Sequence, residues 1–237
     1  EQALMLVPTP EPWWQLYVTT QLAWNQWLQG NGVAAEVQLD ALLPPTGQPV
    51  AQEHPAYAEL LLLKVLLASQ RQDFVKAIAS LQVLLRQQPP PLIWSFAMCS
   101  LVHSYLEINE VVAAKRVYDE LKNTRQAYDS NHRQIVISLV GGMLALHANN
   151  YLLADQLLRD AVKLEPWVRS IAMIYSPTLL LATLYQRTKS IKQALELFLP
   201  FLTQCHRNHT PALIYRGGTH ALALLKATLR NRTHTAV

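Results

Sequence analysis

Residues 151–166 read YLLADQLLRDAVKLEP, and this stretch decides the fold. Ala154 is followed by Leu158 at +4 and Ala161 at +7, a spacing that puts all three on one face of a helix. Pro166 then stops that helix. The same signature recurs outward along the chain. Ala35, Ala77, Ala114, Ala154 and Ala194 are separated by 42, 37, 40 and 40 positions. Each carries a large or apolar residue at +4 and +7: Leu39 and Leu42, Leu81 and Leu84, Tyr118 and Leu121, Phe198 and Phe201 in the other four. Pro89 follows Ala77 as Pro166 follows Ala154, by twelve positions. A repeat near forty residues implies a solenoid of helical hairpins, which works by presenting surface rather than by closing a catalytic cleft.

The first hairpin is expected to pair Trp13 to Gln29 with Val33 to Leu43 across Gly30-Asn31-Gly32. Pro44 to Pro49 is the clearest loop. Further hairpins are expected from Pro55 to Gln70 with Asp73 to Gln87, and from Leu92 to Ile108 with Glu110 to Thr124. The fourth pairs His132 to Ala148 with Tyr151 to Leu164, and the fifth pairs Trp167 to Arg187 with Ile191 to Cys205. Thr210-Pro211 opens one more helix through Leu229. Asp73, Asn109, Asn149-Asn150 and Ser190 stand at the short corners, where residues that cap helix N-termini belong. Pro177 predicts a kink or break between Tyr175 and Thr178, adjusting curvature or widening a groove. No segment alternates as a half-buried strand does. The class is therefore all-α, and residues 1–237 form a single helical-repeat domain of five hairpins and a C-terminal helix. The chain starts without Met and carries helices to both ends, so it reads as cut from something longer.

Of the 237 residues 51% are hydrophobic and only 15% charged, against about 25% charged in average globular chains. Either neutral polar residues cover the surface or a partner covers apolar surface. The net charge of +4 is mild, and Lys and Arg are scattered. The densest stretch, Arg216 to Arg232, does not make the one-sided basic face of a nucleic-acid binder. Cys99 and Cys205 lie far apart and read as reduced thiols. No run approaches the ~18 consecutive apolar residues of a membrane span, and no signal peptide is visible. The seven glycines are scattered without a phosphate-binding loop. His206 and His209, with Cys205 beside them, are too few for a structural zinc site. No recognisable nucleophile elbow or HExxH metal motif is present. The expectation is a non-enzyme with no metal and no cofactor.

Tyr105 and Tyr185 stand nine positions before Ala114 and Ala194. Ala23, Gly142 and Ala182 stand twelve before Ala35, Ala154 and Ala194. This order of small residue, tyrosine, small residue, bulky residue and proline resembles the tetratricopeptide repeat over nearly the whole chain. The match is best in the fourth and fifth hairpins. In the second and third, Val65 and Val102 replace the small residue of the first helix, and the period exceeds the common repeat of about 34 residues. Longer repeats of this kind look like the sensor region of bacterial transcriptional activators of the maltose-regulator type, where an ATPase module precedes the repeats and a helix-turn-helix follows them. The resemblance implies a right-handed superhelix of antiparallel hairpins in a cytoplasmic protein that touches DNA only through another domain.

It also implies which residues line the concave face: those 18, 15, 11, 8 and 7 positions before each alanine of the signature. Among them are Tyr17, Trp24 and Trp27 in the first hairpin and Glu59 in the second. The third contributes Phe96, Cys99, His103 and Glu107, the fourth Met143 and His147, and the fifth Arg187. Apolar walls with a few convergent polar groups suit a small-molecule or peptide site. The tryptophans could equally serve hairpin packing. Two functions follow: a sensor module that takes a small inducer or an inhibitory protein on its concave face, or an adaptor whose groove takes a peptide or helix. The first requires one compact polar and aromatic cluster, the second an open track along several repeats. No membrane partner is expected, and homo-oligomers could form through the solenoid ends.

Overall fold

The computed structural model describes residues 12–42, 55–124, 130–166, 175–188 and 190–235. Twelve helices and no strands occur among them. Helices α1 (Pro12–Leu28) and α2 (Gly32–Leu42) form the first antiparallel pair. Helices α3 (Pro55–Gln70) and α4 (Phe74–Arg86) form the second, and α5 (Pro91–Glu107) and α6 (Val111–Asn123) the third. Helices α7 (Ser130–His147) and α8 (Tyr151–Leu164) follow, then α9 (Pro177–Arg187) and α10 (Ile191–Arg207). The short α11 (Ala212–Tyr215) and the long α12 (Gly218–Thr235) close the chain.

All five alanines of the signature are fully buried, at 0% exposure. They fix how closely the paired helices approach. In the fourth pair Gly142 faces Leu158, and a Cβ on that glycine would lie 2.6 Å from Leu158 Cδ2. Only glycine lets α7 and α8 pack at this distance.

One corner geometry joins the paired helices of the first four hairpins, and its backbone hydrogen bond recurs in the fifth. Gly30, Gln72, Asn109 and Asn149, each five residues before its alanine, all have φ between 58° and 85°. The next residue donates its N–H back to a carbonyl five residues earlier: Asn31 to Gln26 (2.9 Å), Asp73 to Ala68 (3.0 Å), Glu110 to Tyr105 (2.8 Å), Asn150 to Ala145 (2.9 Å) and Ser190 to Tyr185 (2.8 Å). This is the Schellman closure, which satisfies a terminal carbonyl and reverses the chain. Asp73 and Asn150 also cap the following helix, accepting from the N–H of Lys76 and Leu153. Asn109, expected as an N-cap, instead holds the left-handed position, with Glu110 at the cap. Asn tolerates that conformation better than most residues.

The first helices lie side by side in chain order: α1 on α3, α3 on α5, α5 on α7, α7 on α9. Helix α12 packs against α9 and α10 and so extends the row. A helix flanked by two first helices and two second helices is buried on most sides. This explains the near-continuous apolar run of α3, where Leu60 to Ser69 is buried except at Lys64. The outer helices α4, α6, α8 and α10 bury a narrower stripe, as amphipathic helices do.

The last two expected segments differ from expectation, and the final helix runs on to Thr235 rather than ending at Leu229. The helix expected from Thr210 to Leu229 is two helices separated at Gly217-Gly218. Gly218 has φ +52°, and a Cβ on Gly217 would lie 2.7 Å from both Leu179 Cδ2 and Ala221 Cβ. A side chain there would push α12 off α9. The fifth first helix starts at Pro177, with Ser176 Oγ accepting from Leu179 N–H (3.3 Å), inside the interval where the proline demanded a break. The loop at 44–49 and the 167–174 part of that hairpin lie outside the described residues.

The last segment returns to the first hairpin. Helix α11 touches α1, and Gly30 faces Pro211 and Tyr215. Along the row of first helices Trp24, Leu66, Phe96, Cys99, Leu139 and Met143 are buried, whereas Tyr17 and the helix-end residues Glu107, His147 and Arg187 are exposed.

Candidate functional site

The Schellman corner ends α5 after Glu107, which places His103 and Glu107 in its last turn, four residues apart on one face. His103 Nε2 lies 3.3 Å from Glu107 Oε1, and the His103 side chain is 13% exposed. Three other elements meet it. The Phe74 ring at the start of α4 stands edge-on, 5.9 Å away. The Tyr175 ring, brought in by the break before Pro177, lies 4.7 Å away. The Arg216 guanidinium, just before the Gly217-Gly218 break, sits 5.6 Å over that tyrosine ring. Arg187 at the end of α9 donates from Nη2 to His220 Nε2 in the first turn of α12 (3.0 Å).

All of these groups except Arg187 line a cavity of about 120 Å³. Ser69, Gln70 and Gln72 from the second corner close one side. Tyr215, Arg216, Gly217, Gly218 and His220 close the other.

The electrostatics fix both histidines. Burial holds His103 below its usual value and outweighs the carboxylate of Glu107, with the charge of Arg216 acting in the same direction as burial. A neutral His103 donates from Nε2 to Glu107, which leaves Nδ1 as an acceptor. That atom is buried and has no hydrogen-bond partner among the described residues. The hydrogen bond from His103 is the chief reason that Glu107 is held low, assisted by the fields of His103, His220 and His147. His220 is lowered by burial and then by Arg187. Its Nε2 accepts from Arg187, so its proton lies on Nδ1. Burial also lowers Arg216, with Tyr175 and Cys99 acting the other way. Cys99, one turn below His103, is pushed up to about 12 by burial.

The residues predicted for the concave face divide into three groups. His103 and Glu107 line the cavity, and Arg187 reaches its edge through His220. Trp24, Trp27, Phe96 and Met143 are buried in the core. Trp24 and Trp27 pack edge to face at 5.7 Å, while Trp27 Nε1 donates to Gln70 Oε1 (3.2 Å) and so touches the cavity wall from behind. Phe96 packs against His132, which is 2.8 Å from Ser95 Oγ. That serine is buried and donates to the Leu92 carbonyl, and the space beside it is about 10 Å³, too small for a substrate. Tyr17, Glu59 and His147 lie elsewhere. Tyr17 is 43% exposed and stacks on Trp14, Glu59 accepts from Gln21, and His147 lies 3.4 Å from Asn109 Oδ1.

Sequence reasoning missed Phe74, Tyr175, Tyr215, Arg216 and His220. The repeat register covers only the first helices, whereas these come from a corner, a helix break and the returning segment. The one signal for them was Arg216-Gly217-Gly218, where a basic stretch begins beside a glycine pair. Among the described residues no group of three His, Cys, Asp or Glu side chains could hold a metal ion, and no helix is long and apolar enough to cross a membrane. No family model matches the chain, and no curated protein matches it either.

Proposed function

We propose that the chain is a non-catalytic effector-binding module of tetratricopeptide-like superhelical design, the sensor part of a multidomain transcriptional regulator that binds a small inducer. The observation that carries this reading is the compact cluster of His103, Glu107, Tyr175, Arg216 and His220 around one cavity. A peptide-binding adaptor requires an open track instead, and Phe96, Leu139 and Met143 along the inner row are buried. The regulatory context is supported by the resemblance of the repeats alone.

The cavity wall comes from the second and third hairpins on one side and the returning segment 215–220 on the other. Through α11 that segment also touches α1. A ligand bridging both sides favours the arrangement in which the last segment is seated, and shifts the balance of states by its differential affinity for them. His103 and Glu107 orient the ligand, His220 supplies a donor, and Tyr175 and Phe74 exclude water.

Tryptophan fluorescence and thermal stability against a library of sugars, metabolites and small acids test the reading, because Trp27 bonds to Gln70 on the cavity wall. A specific saturable shift is expected, weakened by about 1–3 kcal/mol in His103→Ala. Silence across the library, or a response that His103→Ala leaves intact, would contradict it.

A further inference from the structure

The buried signature of the second helices has an exposed counterpart. Residues two before, two after and six after each signature alanine are four apart and share one face of the helix. In α2 they are Val33, Val37 and Ala41, and in α4 Val75, Ala79 and Val83. All six are exposed, the valines by 45% to 74%. Further along the array the same positions turn polar: Arg116 and Glu120 follow Val112 in α6, and Gln156 and Asp160 follow Leu152 in α8. Helices α2 and α4 both pack on α3, and Glu36 of α2 is ion-paired with Arg71 at the corner that leads into α4. Their outward faces therefore form one apolar surface, about 20 Å by 20 Å from the helix lengths and diameters.

Charge divides across this surface. Helix α2 carries Glu36 and Asp40 and no base, whereas α4 carries Lys76 and Arg86 and no acid. Asp40, Lys76 and Arg86 are exposed and have no ion-pair partner among the described residues. We propose that this face binds a second copy of the chain, in a two-fold dimer that lays α2 of each copy on α4 of the other. A two-fold interface uses the same patch on both copies and must be self-complementary. An axis parallel to the helices meets that demand, since it sets acidic α2 over basic α4 twice, with valine against valine. An axis across the helices would set α2 on α2 and α4 on α4 and oppose like charges. Charge therefore selects the first arrangement, in which Asp40 faces Arg86 of the copy. The area lies at the small end of specific interfaces, so association is expected at micromolar concentration.

Sedimentation equilibrium of the full chain between ~1 and ~200 μM tests the proposal. The mass is expected to rise from 26.8 kDa to twice that value. Val75→Glu is expected to weaken the dimer at least about tenfold, whereas Val112→Glu, at the same register outside the surface, leaves it unchanged. Both valines are mostly exposed, so both variants fold. Asp40→Lys and Arg86→Glu each weaken association, and the two together restore it. A chain that stays monomeric throughout leaves the face to a different partner and overturns the proposal. A dimer insensitive to Val75→Glu places the interface elsewhere and overturns it too. A double charge swap weaker than either single one overturns the pairing of α2 with α4.

Discussion

Gly142 and Leu158 set the tightest helix approach in the molecule's fourth hairpin. A methyl group on Gly142 would lie 2.6 Å from Leu158 Cδ2 and 2.7 Å from its Cγ. Leu158 is fully buried and cannot swing away. Gly142→Ala is therefore expected to destabilise the protein by about 1–3 kcal/mol through overpacking, even though alanine is the better helix former. Urea unfolding measures this, and an unchanged midpoint would contradict the close packing. The small-residue signature was legible at this scale because it is a spacing rule. The cavity was legible only in part: His103 and Glu107 fell on the register of the first helices, whereas Arg216 and Tyr175 reach the site through breaks in the chain. A spacing rule for regular helices carries no information about such breaks.

At the scale of elements, the corners explain why the hairpins repeat faithfully despite a degenerate sequence. Gly30, Gln72, Asn109 and Asn149 share a left-handed backbone, yet only one is glycine. What recurs is the backbone hydrogen bond that follows each, between 2.8 and 3.0 Å in every case. For this reason the helix boundaries of the first four hairpins could be read from the chain to within a residue or two, while the role of Asn109 could not. Gln72→Val places a β-branched residue at positive φ and is expected to cost about 1–2 kcal/mol, whereas Gln72→Gly is tolerated. Thermal unfolding of the two variants separates the effects, and equal stability for Val and Gly would show that the corner relaxes. The break at Gly217-Gly218 has the opposite character. It interrupts what the sequence pattern continues, and by doing so it turns α12 toward α9 and presents Arg216 and His220 to the cavity.

For the molecule as a whole, the decisive feature is that most of the row of first helices is buried. The hairpin packing follows from the repeat itself, since each first helix adjoins the next. The return of residues 211–220 to the first hairpin does not follow from the repeat, because it depends on long-range contacts of Pro211 and Tyr215 with Gly30. Cys99 lies within the field of Arg216 in that segment. It stands on the inner face of α5, is completely buried, and its thiol is raised from 9.0 to about 12. That shift leaves about a thousandfold less thiolate, the reactive form. The measurement is thiol labelling of the native protein with an aromatic disulfide reagent, mapped by mass spectrometry. Cys99 is expected to stay unlabelled until the protein unfolds. Rapid stoichiometric labelling of native Cys99 would mean an open groove along the first helices, and would contradict the burial of that row.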